Sequence, residues 1–311
     1  MSKSIFHGMG FETCKPQLER LQRTMPNESE NCTKLPISKI GVVFSSGFFG
    51  FFAHAGFLAA LRDLGIAPSG YSGASSGAIL AAMAAANMAD PRIKEILFNL
   101  SKADFWDPDP IPTVLKRLLN LMRGYTGYLR GDGFARLLEK IPVRRFEECH
   151  TPLVITAANL TQGREEIFVR GNLIKAIQAS GAVPMLFKPV EIEGSLYVDG
   201  GTVNKAPIQA LADLIQPDRI IVHFIASADL ESPANSFLKR RMTPWHIHSL
   251  SFDISRQEGY QRQCDLVRQR GIEIIEVITN APPLGPNTLE KGPLAYEKAR
   301  EETLRLLEHF V

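Results

Sequence analysis

Residues 70–86 read Gly70-Tyr-Ser-Gly-Ala-Ser75-Ser-Gly-Ala-Ile-Leu-Ala-Ala-Met-Ala-Ala-Ala86. The composition predicts a turn over residues 68–73, then Ser75, then a helix over the alanine-rich run 78–86, whose residues have the highest intrinsic helix propensity. Within it, Gly73-Ala-Ser75-Ser-Gly77 matches G-x-S-x-G. Between a strand and a helix this pattern sets a serine on a strained turn. The flanking glycines relieve crowding, and the helix start directs N–H groups and a positive dipole end toward developing negative charge. A helix-capping serine gives a similar pentapeptide, so the match alone leaves the role of Ser75 open. Ser76 is the neighbouring rival.

Upstream, Ile40, Val42, Val43 and Phe44 form a short apolar run ending at Ser45, Ser46 and Gly47, as a buried strand does on entering a tight loop. Residues 51–61 read as a helix whose Ala53, Ala55, Gly56, Ala59 and Ala60 leave a smooth surface for close packing on a sheet. No charged residue lies between Lys39 and Arg62, or between Asp63 and Asp90, runs of 22 and 26 residues. A membrane-spanning helix needs about 20 predominantly apolar residues. These runs instead contain Ser45, Ser46, Gly47, Gly50 and His54, then Pro68, Ser69, Gly70, Ser72, Gly73, Ser75, Ser76 and Gly77. Two strand–loop–helix units of a buried α/β core account for them.

Regular alternation resumes after a longer region. Residues 93–141 contain helical patches broken by Asp107-Pro-Asp-Pro110 and by Gly124, Gly127, Gly131 and Gly133, and Leu115, Leu118, Leu119 and Met122 fall on one helical face. This region reads as a cap beside the core. Strands are expected at 153–157, 166–169, 195–198, 219–225 and 272–278, and helices at 173–179, 249–270 and 294–309. Strands alternating with helices argue for a mostly parallel sheet covered on both faces. Residues 1–37 are polar and mixed, with a short helical candidate at 17–23, and read as an extension outside a single domain spanning 38–311.

The composition excludes several classes. With 45% hydrophobic and 22% charged residues among 311, the chain is globular and not disordered. Thirty-five Lys and Arg against 33 Asp and Glu give a charge of +2, without the basic excess of a nucleic-acid binder. The first residues lack a secretory apolar run, so a cytoplasmic location or a signal-less export route is expected. Cys14, Cys32, Cys149 and Cys264 are widely spaced and suggest inert thiols. Asn27, Asn31 and Asn159 each begin an N-x-S/T triplet and read as chance matches.

A serine nucleophile needs a base. In the order Ser, Asp/Glu, His, the candidate histidines are His223, His246, His248 and His309. His223 lies within an apolar strand and reads as a core histidine. His246-Ile-His248 lacks a third ligand at metal-binding spacing. The other solution is a carboxylate acting directly. Asp199-Gly200-Gly201 stands at the end of a predicted strand, where α/β sheets carry their sites, although a plain turn would also explain it. An aspartate of ordinary pKa, about 3.9, becomes a useful base only when a desolvated pocket and a short hydrogen bond match it to the task. Ser236-Phe-Leu-Lys239 fits S-x-x-K, but neither S-D-N nor K-T-G accompanies it.

The ordered set of motifs resembles the patatin-like phospholipases. They are residues 43–50, His54-Ala-Gly-Phe-Leu58, residues 73–77, Gly127-Tyr-Leu-Arg-Gly-Asp-Gly133 and residues 155–163. Ala179-Ser-Gly-Ala-Val-Pro184 with Phe187 and Pro189 follows, then Asp199-Gly-Gly201 with Asn204 and Pro207. The resemblance covers about residues 38–210. It implies a three-layer α/β/α fold and lipid acyl-ester hydrolysis of phospholipase A or lysophospholipase type. Ser75 would be the nucleophile and Asp199 the base, with Gly73, Gly77, Gly200 and Gly201 supporting them. Gly47 and Phe48, with Gly50 and Ser76, would form the oxyanion hole. It implies a lipid ester substrate and no cofactor or metal, and the chemistry requires no calcium. Head group, chain length, activating partner and oligomeric state stay unassigned. One motif departs: the family's G-G-G-x-R/K-G loop is here Ser45-Ser-Gly-Phe-Phe-Gly50, with Phe49 in place of the cation. Added Cβ atoms would penalise any position needing positive φ. A Ser–His–Asp esterase, or a catalytically silent lipid- or partner-binding protein, are the competing readings. Phe48, Phe49, Phe51 and Phe52 are expected as helix-start core packing or as an apolar wall for a lipid chain, with contact at a membrane surface in the second case.

Overall fold

A computed structural model describes residues 38–110, 112–114, 124–225, 243–280, 282 and 284–308. In chain order its elements are β1 (Ile40–Phe44), α1 (Phe51–Asp63), β2 (Gly70–Ala74), α2 (Ser76–Ala85), α3 (Asp90–Phe98), α4 (Lys102–Phe105), β3 (Gly127–Leu129) and α5 (Asp132–Leu138). There follow β4 (Leu153–Asn159), β5 (Arg164–Phe168), α6 (Leu173–Ser180), β6 (Met185–Phe187), β7 (Val190–Ile192), β8 (Ser195–Asp199), α7 (Ile208–Ile215), β9 (Arg219–Phe224), α8 (Pro244–Gln269), β10 (Glu273–Ile278) and α9 (Gly292–Leu307). The 17–23 helix, the 115–122 face, Ser236 to Lys239, His309, Cys14, Cys32, Asn27 and Asn31 lie outside the described residues.

The described strands make an eight-stranded sheet in the order β10-β9-β1-β2-β4-β8-β7, with β5 on β4. From β10 to β4 every pairing is parallel, and β5, β8 and β7 are added antiparallel. The mostly parallel sheet read from the sequence is present. β1 lies between β9 and β2, so its side chains alternate between two helical layers. Val42 and Phe44 join the core formed with α1, α2 and α9, whereas Val43 joins Val222, Leu211 and Tyr260 beneath α7 and α8.

The uncharged runs follow from this burial. β2 is buried along its length, and α2 is buried at all but Ile79. A helix apolar all round belongs in the middle of a large core. Gly56 on α1 meets the backbone of α9 so closely that a Cβ would stand 2.0 Å from the Tyr296 carbonyl oxygen. Among the described residues no helix is long and apolar enough to cross a membrane.

The turn expected over residues 68–73 is corrected: Gly70 to Ala74 form the strand β2. Gly and Ser are poor strand formers, but neighbours on both edges override propensity here. β3, β6 and β7 were not anticipated. β3 and β6 pair in parallel as a separate two-stranded sheet, joining the glycine-rich motif at 127–133 to the segment after Pro184. Asp107 secures the start of α5 by accepting the N–H groups of Gly131 (3.1 Å) and Gly133 (2.9 Å). Asn159 is buried and donates to Glu166 and Tyr197, so its triplet cannot be glycosylated in the fold.

Candidate active site

Ser75 sits between the end of β2 and the start of α2 with φ 54° and ψ −121°, a region that L-residues occupy only under constraint. Two contacts hold it there. Its N–H donates to Ser180 Oγ at 2.9 Å, and its Oγ donates to Asp199 Oδ2 at 2.5 Å. The sharpness of the turn demands the flanking glycines: a Cβ on Gly77 would lie 2.3 Å from the Phe44 carbonyl oxygen, and one on Gly73 2.3 Å from that of Gly77.

Asp199 ends β8 and is almost fully buried. Its Oδ1 accepts the Gly201 N–H at 2.7 Å, closing the 3-10 turn Gly200–Thr202. Burial raises its pKa to about 6, against the opposing effects of the Ser75 hydroxyl, the Gly201 N–H and the positive charge of Arg256. The desolvated pocket and short hydrogen bond that an aspartate base requires are both present.

The loop after β1 is anchored at its first two residues. Ser45 donates its N–H to the His223 carbonyl, and its hydroxyl accepts the Ile225 N–H at 2.8 Å, while Ser46 N–H donates to the Lys205 carbonyl at 2.7 Å. Neither serine has positive φ, so their Cβ atoms incur no backbone penalty; positive φ falls on Phe49, at 52°. Gly47 lies against Ile225, where a Cβ would be 2.8 Å away. Among the described residues, the N–H groups of Gly47, Phe48 and Ser76 have no hydrogen-bond acceptor, and the buried Ser76 Oγ has no partner. Gly50 differs from expectation: its N–H donates to the Gly47 carbonyl at 3.0 Å and is not free to bind an oxyanion.

Beneath this loop two buried histidines touch, Nδ1 to Nδ1, at 2.7 Å. His54 Nε2 faces the Ser45 carbonyl (2.9 Å) and must donate, which leaves His54 Nδ1 as acceptor and His223 Nδ1 as donor; His223 Nε2 then accepts from the Thr279 hydroxyl at 3.0 Å. Burial lowers both pKa values, that of His54 to about 3, so the pair is neutral. His223 is thus the core histidine expected from its strand. Among the described residues no histidine hydrogen-bonds to Ser75 or Asp199; the side chains of His246 and His248 are not among those described. Nor does any cluster of three His, Cys, Asp or Glu residues stand close enough to hold a metal ion among them. The thiols of Cys149 and Cys264 are pushed up, chiefly by burial, to about 11 and 12.

An apolar cavity open to solvent is lined in part by Ser75 and Ser76. Ile79 and Met83 on α2, Phe105 on α4 and Phe134 on α5 contribute to its walls, together with Phe48, Phe49 and Phe51. Phe52 is fully buried against Gly292. The phenylalanine cluster therefore divides into three wall residues and one core residue. The cap region reaches the cavity through Ile96, Leu97, Leu100 and Leu138.

These features define a class: an α/β protein with a strained serine on a strand-to-helix turn, a buried carboxylate against its hydroxyl and an apolar cavity at its door. The patatin-like phospholipase family model matches residues 42–212, and the chain belongs to that family. It is 29% identical over 176 residues to an uncharacterised NTE family protein of Mycobacterium tuberculosis, covering 56% of this chain and 46% of that one. To the lysophospholipase NTE1 of Cryptococcus neoformans it is 26% identical over 198 residues, 63% of this chain and 12% of that one. It thus spans less than half the length of these relatives. Among solved structures, VipD from Legionella pneumophila aligns with TM-score 0.47 and 18% identity, over 88% of this chain and 67% of that one. ExoU from Pseudomonas aeruginosa, in complex with SpcU, aligns with TM-score 0.47 and 14% identity, over 88% and 53%.

Three contributors escaped the sequence reading. Ser180 was visible only as part of a motif; nothing local marked it as the acceptor for Ser75. The His54–His223 contact joins residues 169 apart. Arg256 lies beyond the matched segment.

Proposed function

We propose that this protein hydrolyses carboxylic esters of lipids, as a phospholipase A or lysophospholipase, with Ser75 as nucleophile and Asp199 as base. The observation that carries the reading is the 2.5 Å contact from Ser75 Oγ to Asp199 Oδ2, with Ser75 in the wall of the apolar cavity. Ser75 Oγ attacks the ester carbonyl as Asp199 accepts its proton. The carbonyl π electrons move onto oxygen, which accepts hydrogen bonds from the N–H groups of Gly47, Phe48 and Ser76, left without an acceptor among the described residues. Collapse breaks the bond to the alcohol, which leaves with the proton from Asp199. Water then attacks the acyl-enzyme, gives a proton to Asp199 and releases the fatty acid, and the proton returns to Ser75.

The acyl chain occupies the cavity between α2 and the cap region. Phe48, 56% exposed at the cavity edge, meets the lipid surface from which the chain is drawn. On this reading residues 38–311 are one acyl hydrolase domain and 1–37 an extension to it. A panel of phospholipids, lysophospholipids and neutral acylglycerols, assayed with wild type, Ser75→Ala and Asp199→Asn, tests it. Loss of fatty-acid release in both variants is expected; activity surviving in Asp199→Asn removes that residue as base. No Ser75-dependent labelling by a fluorophosphonate would leave a lipid-binding protein without hydrolase activity.

A further inference from the structure

Asp199 is followed by a short turn, and the turn is held from outside by a residue of α8. Arg256 Nη1 donates to the Gly201 carbonyl at 2.9 Å. Gly201 is therefore gripped on both sides, its N–H by Asp199 Oδ1 and its carbonyl by Arg256. The other arm of the guanidinium, Nη2, pairs with Asp253 one helical turn earlier, and the plane of the group lies over Phe252, 5.2 Å from its centroid. Two donors of a rigid fork are thus assigned, which a flexible ammonium cannot reproduce. Nε is buried and has no hydrogen-bond partner among the described residues. Leaving a buried guanidinium N–H without a partner carries a desolvation cost.

We propose that Arg256 is a positioning residue for the Ser75–Asp199 pair: it fixes the turn that aims the carboxylate at Ser75 and holds a positive charge at that turn. The inference rests on the dyad proposed above. It goes beyond it because α8 lies outside the segment matched by the family model, residues 42–212.

The other charged groups on elements packed here are committed differently. Asp253 is tied to Arg256 itself. Glu165 on β5 accepts from Asn204 at 2.8 Å, and Lys205, buried past the turn, places its ammonium over the Phe224 ring at 4.3 Å. His54 and His223 are neutral. Among the described residues Arg256 is the charge whose field acts on Asp199, and it acts against the burial that raises the pKa. Removing it therefore raises the pKa further, and the base is lost at higher pH than in the wild type.

The test is the pH profile of kcat/KM for a short-chain p-nitrophenyl ester, with Ser75-dependent fluorophosphonate labelling followed in parallel. Wild type, Arg256→Gln and Arg256→Lys are compared, each checked by near-UV circular dichroism. In Arg256→Gln the acid limb is expected to move upward by about half a pH unit to one unit. Arg256→Lys keeps the charge and loses the fork, so its limb stays near the wild-type position while its plateau rate falls. A folded Arg256→Gln protein with the wild-type limb overturns the inference while leaving the dyad intact. Should Arg256→Gln not fold, Arg256→Lys decides: a wild-type limb with a reduced plateau supports the inference, and an unchanged profile overturns it. Absence of Ser75-dependent labelling in the wild type overturns the dyad and this inference together.

Discussion

Ser75 and Asp199 meet because the strands that carry them end against each other on one edge of β4. Ala74, the last residue of β2, pairs with Thr156, and Asp199, the last of β8, pairs with Ala157. β5 spans both positions and so takes the opposite edge, leaving β2 and β8 to share the first one head to head. The turn after β2 and the turn after β8 thus face each other, and a hydroxyl and a carboxylate 124 residues apart come to 2.5 Å.

From this geometry, Ser75→Ala and Asp199→Asn should each lower ester hydrolysis by about 10³-fold or more, and the double variant should be scarcely worse than either, since groups acting as one unit are not additive. Titrated fatty-acid release measures it. Fully multiplicative losses would show that the two act separately.

Activity should fall on acidification with a midpoint near pH 6, where Asp199 becomes protonated. Below it kcat/KM drops about tenfold per pH unit, because only the ionised carboxylate accepts the Ser75 proton. A profile flat from pH 5 to pH 8 would assign the base elsewhere; the interval brackets the expected midpoint by about one to two units.

Asp199 should also cost stability. Its pKa rises on folding from 3.8 to about 6, so its contribution is favourable below the unfolded value and is lost as pH rises through the folded one. Above pH 6 the buried carboxylate then opposes folding by roughly 3 kcal/mol. Asp199→Asn should accordingly raise Tm at mildly alkaline pH and give no gain at strongly acidic pH. Equal Tm values for wild type and variant at both would refute this.

Gly77→Ala should destabilise the fold by at least about 2 kcal/mol, since the new Cβ would press on the backbone carbonyls of Phe44 and Ser45, at 2.3 and 2.6 Å. Gly259→Ala in α8 is the control: its Cβ would meet nothing within 4 Å, and a gain of about 0.5–1 kcal/mol is expected. Urea unfolding of the two variants would contradict the packing account if both moved in the same direction.

Ile79→Trp should narrow the apolar cavity beside Ser75, because Ile79 is one turn along α2 and lines the wall. Hydrolysis of long-chain esters should fall by about tenfold or more while short-chain esters are spared. A uniform loss across chain lengths would place the acyl group outside this cavity.

Much of this arrangement was legible from particular residues. The G-x-S-x-G pentapeptide announced the strained serine, D-G-G the carboxylate at a strand end, and the uncharged runs a core of buried strands and helices. The misreading of residues 70–73 as a turn has a physical cause. Glycine and serine are placed in β2 by close neighbours, since a Cβ on Gly70 would press on Ile215 of α7, one on Gly73 would press on the start of α2, and Ser72 donates to the Pro207 carbonyl; local propensity carries no trace of these neighbours. Gly50, whose N–H was expected at the oxyanion, uses it locally, on the Gly47 carbonyl three residues back in the same loop. Added Cβ atoms carry a penalty only where φ is positive, and in this loop positive φ falls on Phe49 and on neither Ser45 nor Ser46.

The sequence by itself determined which chemical groups exist and the local frame of each: a hydroxyl between glycines before an alanine-rich helix, a carboxylate closing a strand, and a stretch of phenylalanines after β1. Those properties are local, set by backbone sterics and by the periodicity of apolar residues over a few positions. Only the tertiary structure decided that Ser75 meets Asp199, with no histidine bonded to it among the described residues, that Ser180 and Arg256 brace the two turns, and that three of the four phenylalanines border a cavity. Each of these is a contact between segments distant in sequence. Its existence depends on sheet order and register, which arise from the burial of the whole core.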